Sequence, residues 1–309
     1  MPVLIYRYTI DQETWAFIKR TQSFYSKELL SYSIEQQRSE YNQMCYAFDN
    51  HKPYELSIKS EKWDTIPVRI YEPKAPIGTL IYYHGGGFVV GDLESHHEVC
   101  AELTEKSQLR VVSVAYRLAP EHKHPAQFND AFRAVQIAAK TFPEPLIVAG
   151  DSAGGTLAAS VCHNARATNI NLSGQVLIYP SLGTDMNTNS FITHANAPLL
   201  TTKDMLYYKQ VRCENHVPED DPTFAPLNDK DFSNLPPTVV FTASCDPLVD
   251  DGEKYCAKII DAGGAAEWIN EVGLVHGYLR ARSSVIRASN SFERIANAAA
   301  FLAKKKWPY

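Results

Sequence analysis

Two segments of the 309-residue chain set reactive side chains among small residues. Gly150-Asp151-Ser152-Ala153-Gly154 fits the pattern G-x-S-x-G, and it runs from the apolar Leu146 to Ala149 straight into good helix formers. In a strand-turn-helix setting of this kind the serine is thrust above the sheet edge. Glycine is needed two residues either side, because a larger side chain would strike neighbouring backbone. The chemistry this suits is nucleophilic attack by a hydroxyl, which needs a base and a group that orients the base; the plain alternative is a serine that only caps a helix. The expected chain order is serine, acid, histidine. Of the histidines after Ser152, His163 falls in the following helix, and His194 and His216 fall in a polar region outside the strand-helix rhythm. His276, just beyond the strand-like Ala266 to Glu271, is the expected base. Asp246 follows the apolar Thr238 to Ala243, at the strand end where open α/β sheets place their sites, and is the expected orienting acid. Asp250 and Asp251 read instead as opening the next helix.

A second segment, Tyr82-Tyr83-His84-Gly85-Gly86-Gly87-Phe88, follows another apolar run. Three successive glycines let main chain approach a substrate and turn N–H groups outward, as an oxyanion hole demands. Gly85, Gly86 and Gly87 are therefore candidate oxyanion donors, with the choice among them open. A dinucleotide loop would need glycine where Val90 stands, and no phosphate-loop pattern occurs. His97-Glu98-Val99-Cys100-Ala101 starts like a zinc helix but has alanine at the second ligand position, so no metal site is expected, and His96 and His97 read as surface or pocket-edge residues.

The elements that must position these residues are legible as alternation. Val68 to Tyr71, Thr79 to Tyr83, Val111 to Ala115, Leu146 to Ala149, Val176 to Tyr179, Thr238 to Ala243 and Ala266 to Glu271 are short apolar or β-branched runs between helical or turn-like segments. This predicts an α/β fold: a mostly parallel central sheet with helices on both faces. Asp130 to Lys140 and Asp250 to Ala262 have helical spacing, and Gly263-Gly264 stops the second. Two stretches break the rhythm. Residues 1–45 carry Trp15, Ile18, Tyr25, Leu29 and Tyr32 at helical intervals, and residues 184–221 contain Thr201 to Asp204 at capping-box spacing. The expectation is one domain, residues 1–309, with a cap from 1–45 and 184–221 over a catalytic core of 46–183 and 222–309. Trp15, Phe17, Tyr25, Phe88, Met205, Tyr207 and Tyr208 are the expected substrate-pocket walls.

Composition narrows the partners. A formal net charge of -5, with no long basic block beyond the solvated Lys304 to Lys306, argues against nucleic acid. No run approaches the roughly 18 apolar residues of a membrane span, and the N-terminus lacks a signal-peptide pattern, so no stable membrane insertion and a cytoplasmic location are expected. Six cysteines without a C-x-x-C pair read as reduced, partly buried thiols. The oligomeric state stays open between monomer and homodimer.

Taken together, His84 to Phe88 (HGGGF), Tyr116 to Ala126 (YRLAPEHKHPA), Gly150 to Gly155 (GDSAGG), Asp246 to Gly252 (DPLVDDG) and His276 to Tyr278 (HGY) resemble the hormone-sensitive-lipase-like branch of the α/β-hydrolase superfamily, which includes bacterial acetyl esterases. Tyr278 departs from the more usual phenylalanine. The resemblance implies the α/β-hydrolase fold with a helical cap, a Ser152–His276–Asp246 triad, and Ala153 as a further oxyanion donor. It implies a serine carboxylesterase acting on small or short-acyl esters without metal or organic cofactor. Amide deacetylation and acyl transfer use the same machinery. A small-molecule receptor on the same fold is the alternative of another class, and the presence of His276 speaks against it.

Overall fold

The computed structural model describes residues 6–25, 31–143, 145–183, 185–187 and 189–309. Leu29 of the expected N-terminal helical series lies outside them, as do Thr184 and Thr188. In chain order the elements are α1 (Gln12–Gln22), α2 (Ile34–Phe48), β1 (Ser57–Trp63), β2 (Ile66–Glu72), β3 (Thr79–Tyr83), α3 (His97–Ser107), β4 (Arg110–Val114), α4 (Ala126–Thr141), β5 (Leu146–Asp151), α5 (Ala153–Ala165), β6 (Leu172–Ile178), α6 (Asn189–Thr193), α7 (Thr202–Arg212), β7 (Thr238–Cys245), α8 (Val249–Asp261), β8 (Ala266–Val275) and α9 (Ile286–Ala303).

The strands form one sheet in the order β1-β2-β4-β3-β5-β6-β7-β8. β1, β2 and β4 pair antiparallel, and every pair from β4 and β3 onward is parallel. All residues of β3, β4 and β5 are buried, the condition their unbroken apolar runs anticipate. Alternate side chains enter opposite faces. Leu80 and Tyr82 join one core with Val99 of α3 and Phe292 of α9. Ile81 and Tyr83 join the other with Phe128 of α4, Leu157 of α5 and Ile259 of α8.

Local signals set several boundaries. Thr201 and Asp204 form the reciprocal capping box at the start of α7, and Ser33 with Gln36 does the same for α2. Beyond α8, Gly263 (φ 82°) lets the chain fold back, and the N–H of Gly264 donates to Ile259 O at 2.8 Å. β1 was not anticipated: six of its seven residues are exposed, so Ser57 to Lys62 lacks the apolar signature of a strand. β8 runs to Val275 through Gly273 (φ 77°), four residues past the expected end, which brings His276 directly to the strand terminus.

The two segments that break the rhythm supply α1, α2, α6 and α7, none of which inserts a strand into the sheet. Tyr6 reaches His194 at 3.0 Å, and Gln37 of α2 donates to the Tyr207 hydroxyl of α7 at 2.9 Å, so the sequence-distant pieces touch each other. Among the described residues no helix is long and apolar enough to cross a membrane, and all six cysteines are free and buried.

Candidate active site

Ser152 sits between β5 and α5 with φ 54° and ψ −119°, a strained turn for a residue bearing a side chain. The flanking glycines explain how the turn closes. A Cβ on Gly150 would stand 2.4 Å from Gly154 backbone, and one on Gly154 would stand 1.9 Å from Tyr83 O. Strand β5 thus delivers the hydroxyl, while β7 and β8 end at Asp246 and His276. Ser152 Oγ lies 2.9 Å from His276 Nε2, and His276 Nδ1 lies 2.6 Å from Asp246 Oδ2. The other Asp246 oxygen accepts the Leu248 N–H at 3.0 Å, leaving a wholly buried carboxylate aimed at the imidazole. The Tyr179 ring lies 4.8 Å from that of His276.

The glycine run divides by task. Gly85 is not a free donor, because its N–H is bonded to Asp151 Oδ1 at 2.9 Å; it drops from the candidate oxyanion donors. Gly86 (φ 118°) and Gly87 (φ 61°) occupy backbone conformations that L side chains rarely adopt. The N–H groups of Gly86, Gly87 and Ala153 have no acceptor among the described residues, and Gly86, Gly87 and Ala153 line the same cavity as Ser152. Val89 and Val90 donate back to Gly86 O, which holds the turn.

Asp151 fastens this loop from below. It accepts from the Tyr82 hydroxyl at 2.8 Å and faces His96 Nε2 at 3.3 Å. Burial pushes its carboxyl up, but His96, Arg280 and Tyr82 outweigh burial and hold it well below the usual range. His96 is therefore not a surface or pocket-edge residue; it is buried against the carboxylate two strands away. His97 is half-buried, with Nδ1 3.1 Å from the Tyr71 hydroxyl. His84 stacks on Tyr116 at 4.4 Å, and burial together with neighbouring His96 pushes it down to about 4.

Above Ser152 opens a cavity of ≈910 Å³. Trp15, Phe17, Tyr25, Phe88, Met205 and Tyr208 line it. Tyr207 does not: its hydroxyl is turned to Gln37, on the side of α7 that braces α2. Tyr208 reaches the glycine run, since a Cβ on Gly87 would lie 2.5 Å from its ring. Sequence reading missed Tyr41, Tyr179, Arg212 and Arg280 as wall residues. Arg280 carried a usable signal, standing four residues beyond His276, as did Tyr179 at the end of the expected strand Val176 to Tyr179.

A parallel sheet with a strained serine at a β5–α5 turn, an imidazole and carboxylate within reach, and unpartnered amides beside it defines a serine hydrolase architecture. Residues 80–280 match the family described as alpha/beta hydrolase fold, and the chain belongs to that family, in its hormone-sensitive-lipase-like branch. It is similar to the carboxylic ester hydrolase LipN of Mycobacterium tuberculosis, 37% identical over 230 residues that cover 69% of this chain and 61% of that protein. It is 32% identical to an ethyl acetate hydrolase of Pseudomonas putida over 260 residues, 79% of this chain and 81% of the relative. Among solved structures, a hyperthermophilic esterase from Pyrobaculum calidifontis superposes with a TM-score of 0.87 at 29% identity, covering 96% of this chain and 99% of that one.

Proposed function

We propose that this carboxylic-ester hydrolase uses Ser152 as nucleophile, His276 as general base and then general acid, and Asp246 as the group that fixes the imidazole. The observation that carries the reading is the pair of hydrogen bonds, 2.9 Å and 2.6 Å, linking hydroxyl to imidazole to buried carboxylate. His276 Nε2 takes the Ser152 proton as Oγ attacks an ester carbonyl, and Asp246 holds Nδ1 protonated and steadies the imidazolium. The developing oxyanion is received by the amides of Gly86, Gly87 and Ala153. His276 then gives its proton to the departing alcohol, and a water activated by the same imidazole releases the acid.

The cap aromatics support a short-acyl preference of roughly two to six carbons, each fitted methylene contributing about 0.8 kcal/mol until the wall is met. A cavity of ≈910 Å³ exceeds what such an acyl group fills, so the remaining space falls to the alcohol portion.

A phosphonate ester probe tests the assignment: one adduct per chain on Ser152 is expected, with Ser152→Ala unlabelled and its turnover reduced by roughly 10⁶. An adduct on another serine, or undiminished turnover in the variant, overturns it.

A further inference from the structure

The cavity wall holds a cation with no carboxylate in contact: Asp151 feels its charge but is not ion-paired to it. Arg280 lines the cavity from the short helical turn Tyr278–Ala281 that follows His276. Its Nε donates to Cys45 Sγ at 3.2 Å, its Nη2 donates to the Tyr41 hydroxyl, and both partners are neutral side chains of α2. Nη1 makes no hydrogen bond among the described residues, and a Cβ on Gly277 would stand only 2.9 Å from it, which places it beside the backbone next to His276. No carboxylate among the described residues comes within ion-pair distance of this guanidinium.

The acids that share the cavity are already engaged. Asp151 is held by Gly85, Tyr82 and His96. Asp204 caps α7, Asp251 accepts the Leu182 and Gly183 amides, and Glu219 is paired with Lys209. Arg212 is the other arginine of the wall, but its guanidinium lies between the Phe88 and Phe224 rings, at 3.7 Å and 4.3 Å, and its faces are covered. The same wall as Arg280 carries a second unused group: the buried Tyr179 hydroxyl has no partner among the described residues. A charge withdrawn from water without a partner is costly, and a planar guanidinium with an open N–H edge fits a carboxylate best.

The geometry points to Arg280 as the recognition residue for a substrate carboxylate, so that the natural substrates are small esters carrying a negative charge. The inference rests on the ester-hydrolase reading above. The charge could belong to the acyl part, as in a half-ester of a dicarboxylic acid, or to the alcohol part, as in an acylated hydroxy acid.

Two matched pairs separate these sources. Ethyl hydrogen succinate against ethyl succinamate reads the acyl side, and O-butyrylglycolate against O-butyrylglycolamide reads the alcohol side. In the wild-type enzyme, kcat/KM for the anion should exceed that for its neutral amide by about tenfold or more in one pair, the scale of a charge-assisted hydrogen bond. In Arg280→Gln that ratio should fall to about one, while Arg280→Lys should keep part of it. Because the wild-type ratio needs no variant, a poorly folding Arg280→Gln leaves the test standing. Absence of an anion preference in both pairs, or a ratio unchanged in Arg280→Gln, overturns the inference while neutral-ester turnover and Ser152 labelling keep the ester-hydrolase reading. Absence of turnover on all four esters and on simple acetates removes both.

Discussion

Asp246 offers its two oxygens to two different donors, the His276 ring and the Leu248 amide, and an asparagine there can satisfy only one of them with its carbonyl. Asp246→Asn is therefore expected to keep the fold and to lower kcat by roughly 10³ to 10⁴, the scale of a base whose tautomer is no longer fixed. Among the described residues Asp250 accepts only the Ser190 amide, so Asp250→Asn should be mild by comparison. Steady-state kinetics of the two purified variants decides it; a crippled Asp250→Asn beside an active Asp246→Asn would reverse the assignment. At this scale the sequence was informative where spacing and local steric demand coincide. The Gly150, Ser152 and Gly154 pattern can be read because any Cβ at either glycine collides with backbone. The use of the Gly85 amide could not be read, since it depends on where Asp151 Oδ1 points. The pairing of His96 with Asp151 joins two segments that no local pattern connects.

Among the elements, α7 lays a side chain against the glycine run beside Ser152. Its capping box fixes where the helix starts, and from there Met205 and Tyr208 fall on the cavity side while Tyr207 turns to α2. Our assignment of α1, α2, α6 and α7 to the cap predicts that Tyr208→Ala shifts the acyl-length optimum upward and leaves Ser152 labelling intact. Rates over a graded series of chromogenic acyl esters measure this, and an unmoved optimum would remove α7 as the ruler. Helical spacing made α7 legible but not the direction each aromatic takes, which is how Tyr207 came to be grouped with its neighbours. The strands buried on both faces were legible as continuous apolar runs. β1 was not, because an exposed edge strand of Lys, Ser and Glu is stabilised by its pairing with β2, which leaves no mark in its own composition.

For the whole molecule, buried histidines set an acid limit. Burial pushes His84 and His163 down to about 4, for His163 in spite of the Asp229 carboxylate 2.6 Å away. Between the ordinary histidine value and about 4, the unfolded chain therefore binds protons at these two sites that the folded chain refuses, and stability falls as pH is lowered through that window. Asp49 works the other way: burial and Glu98 raise it to about 6, so the folded state takes up that proton first. His97, His124 and His194 are also pushed down, chiefly by burial, so five histidines outweigh the one carboxyl. The urea midpoint should be lower at about pH 5 than near pH 7; an equal or higher midpoint at the acid value would contradict this balance.

The helices α1, α2, α6 and α7 contribute neither a strand to the sheet nor a member of the hydrogen-bonded trio. In inheritance, the two parts of the molecule can therefore drift at different rates: a lineage can exchange what surrounds a substrate without re-registering the strands or rebuilding the serine turn. One point on the seam is Tyr208 against Gly87, where a ring lies on a bare backbone. A grafted helix has to bring a side chain that accepts that glycine. Any side chain arriving at position 87 meets two obstacles, the ring and its own φ of 61°, and shrinking Tyr208 lifts only the first. Position 208 can thus change while position 87 stays glycine, whereas a side chain at 87 carries the backbone penalty whichever of the two changes first.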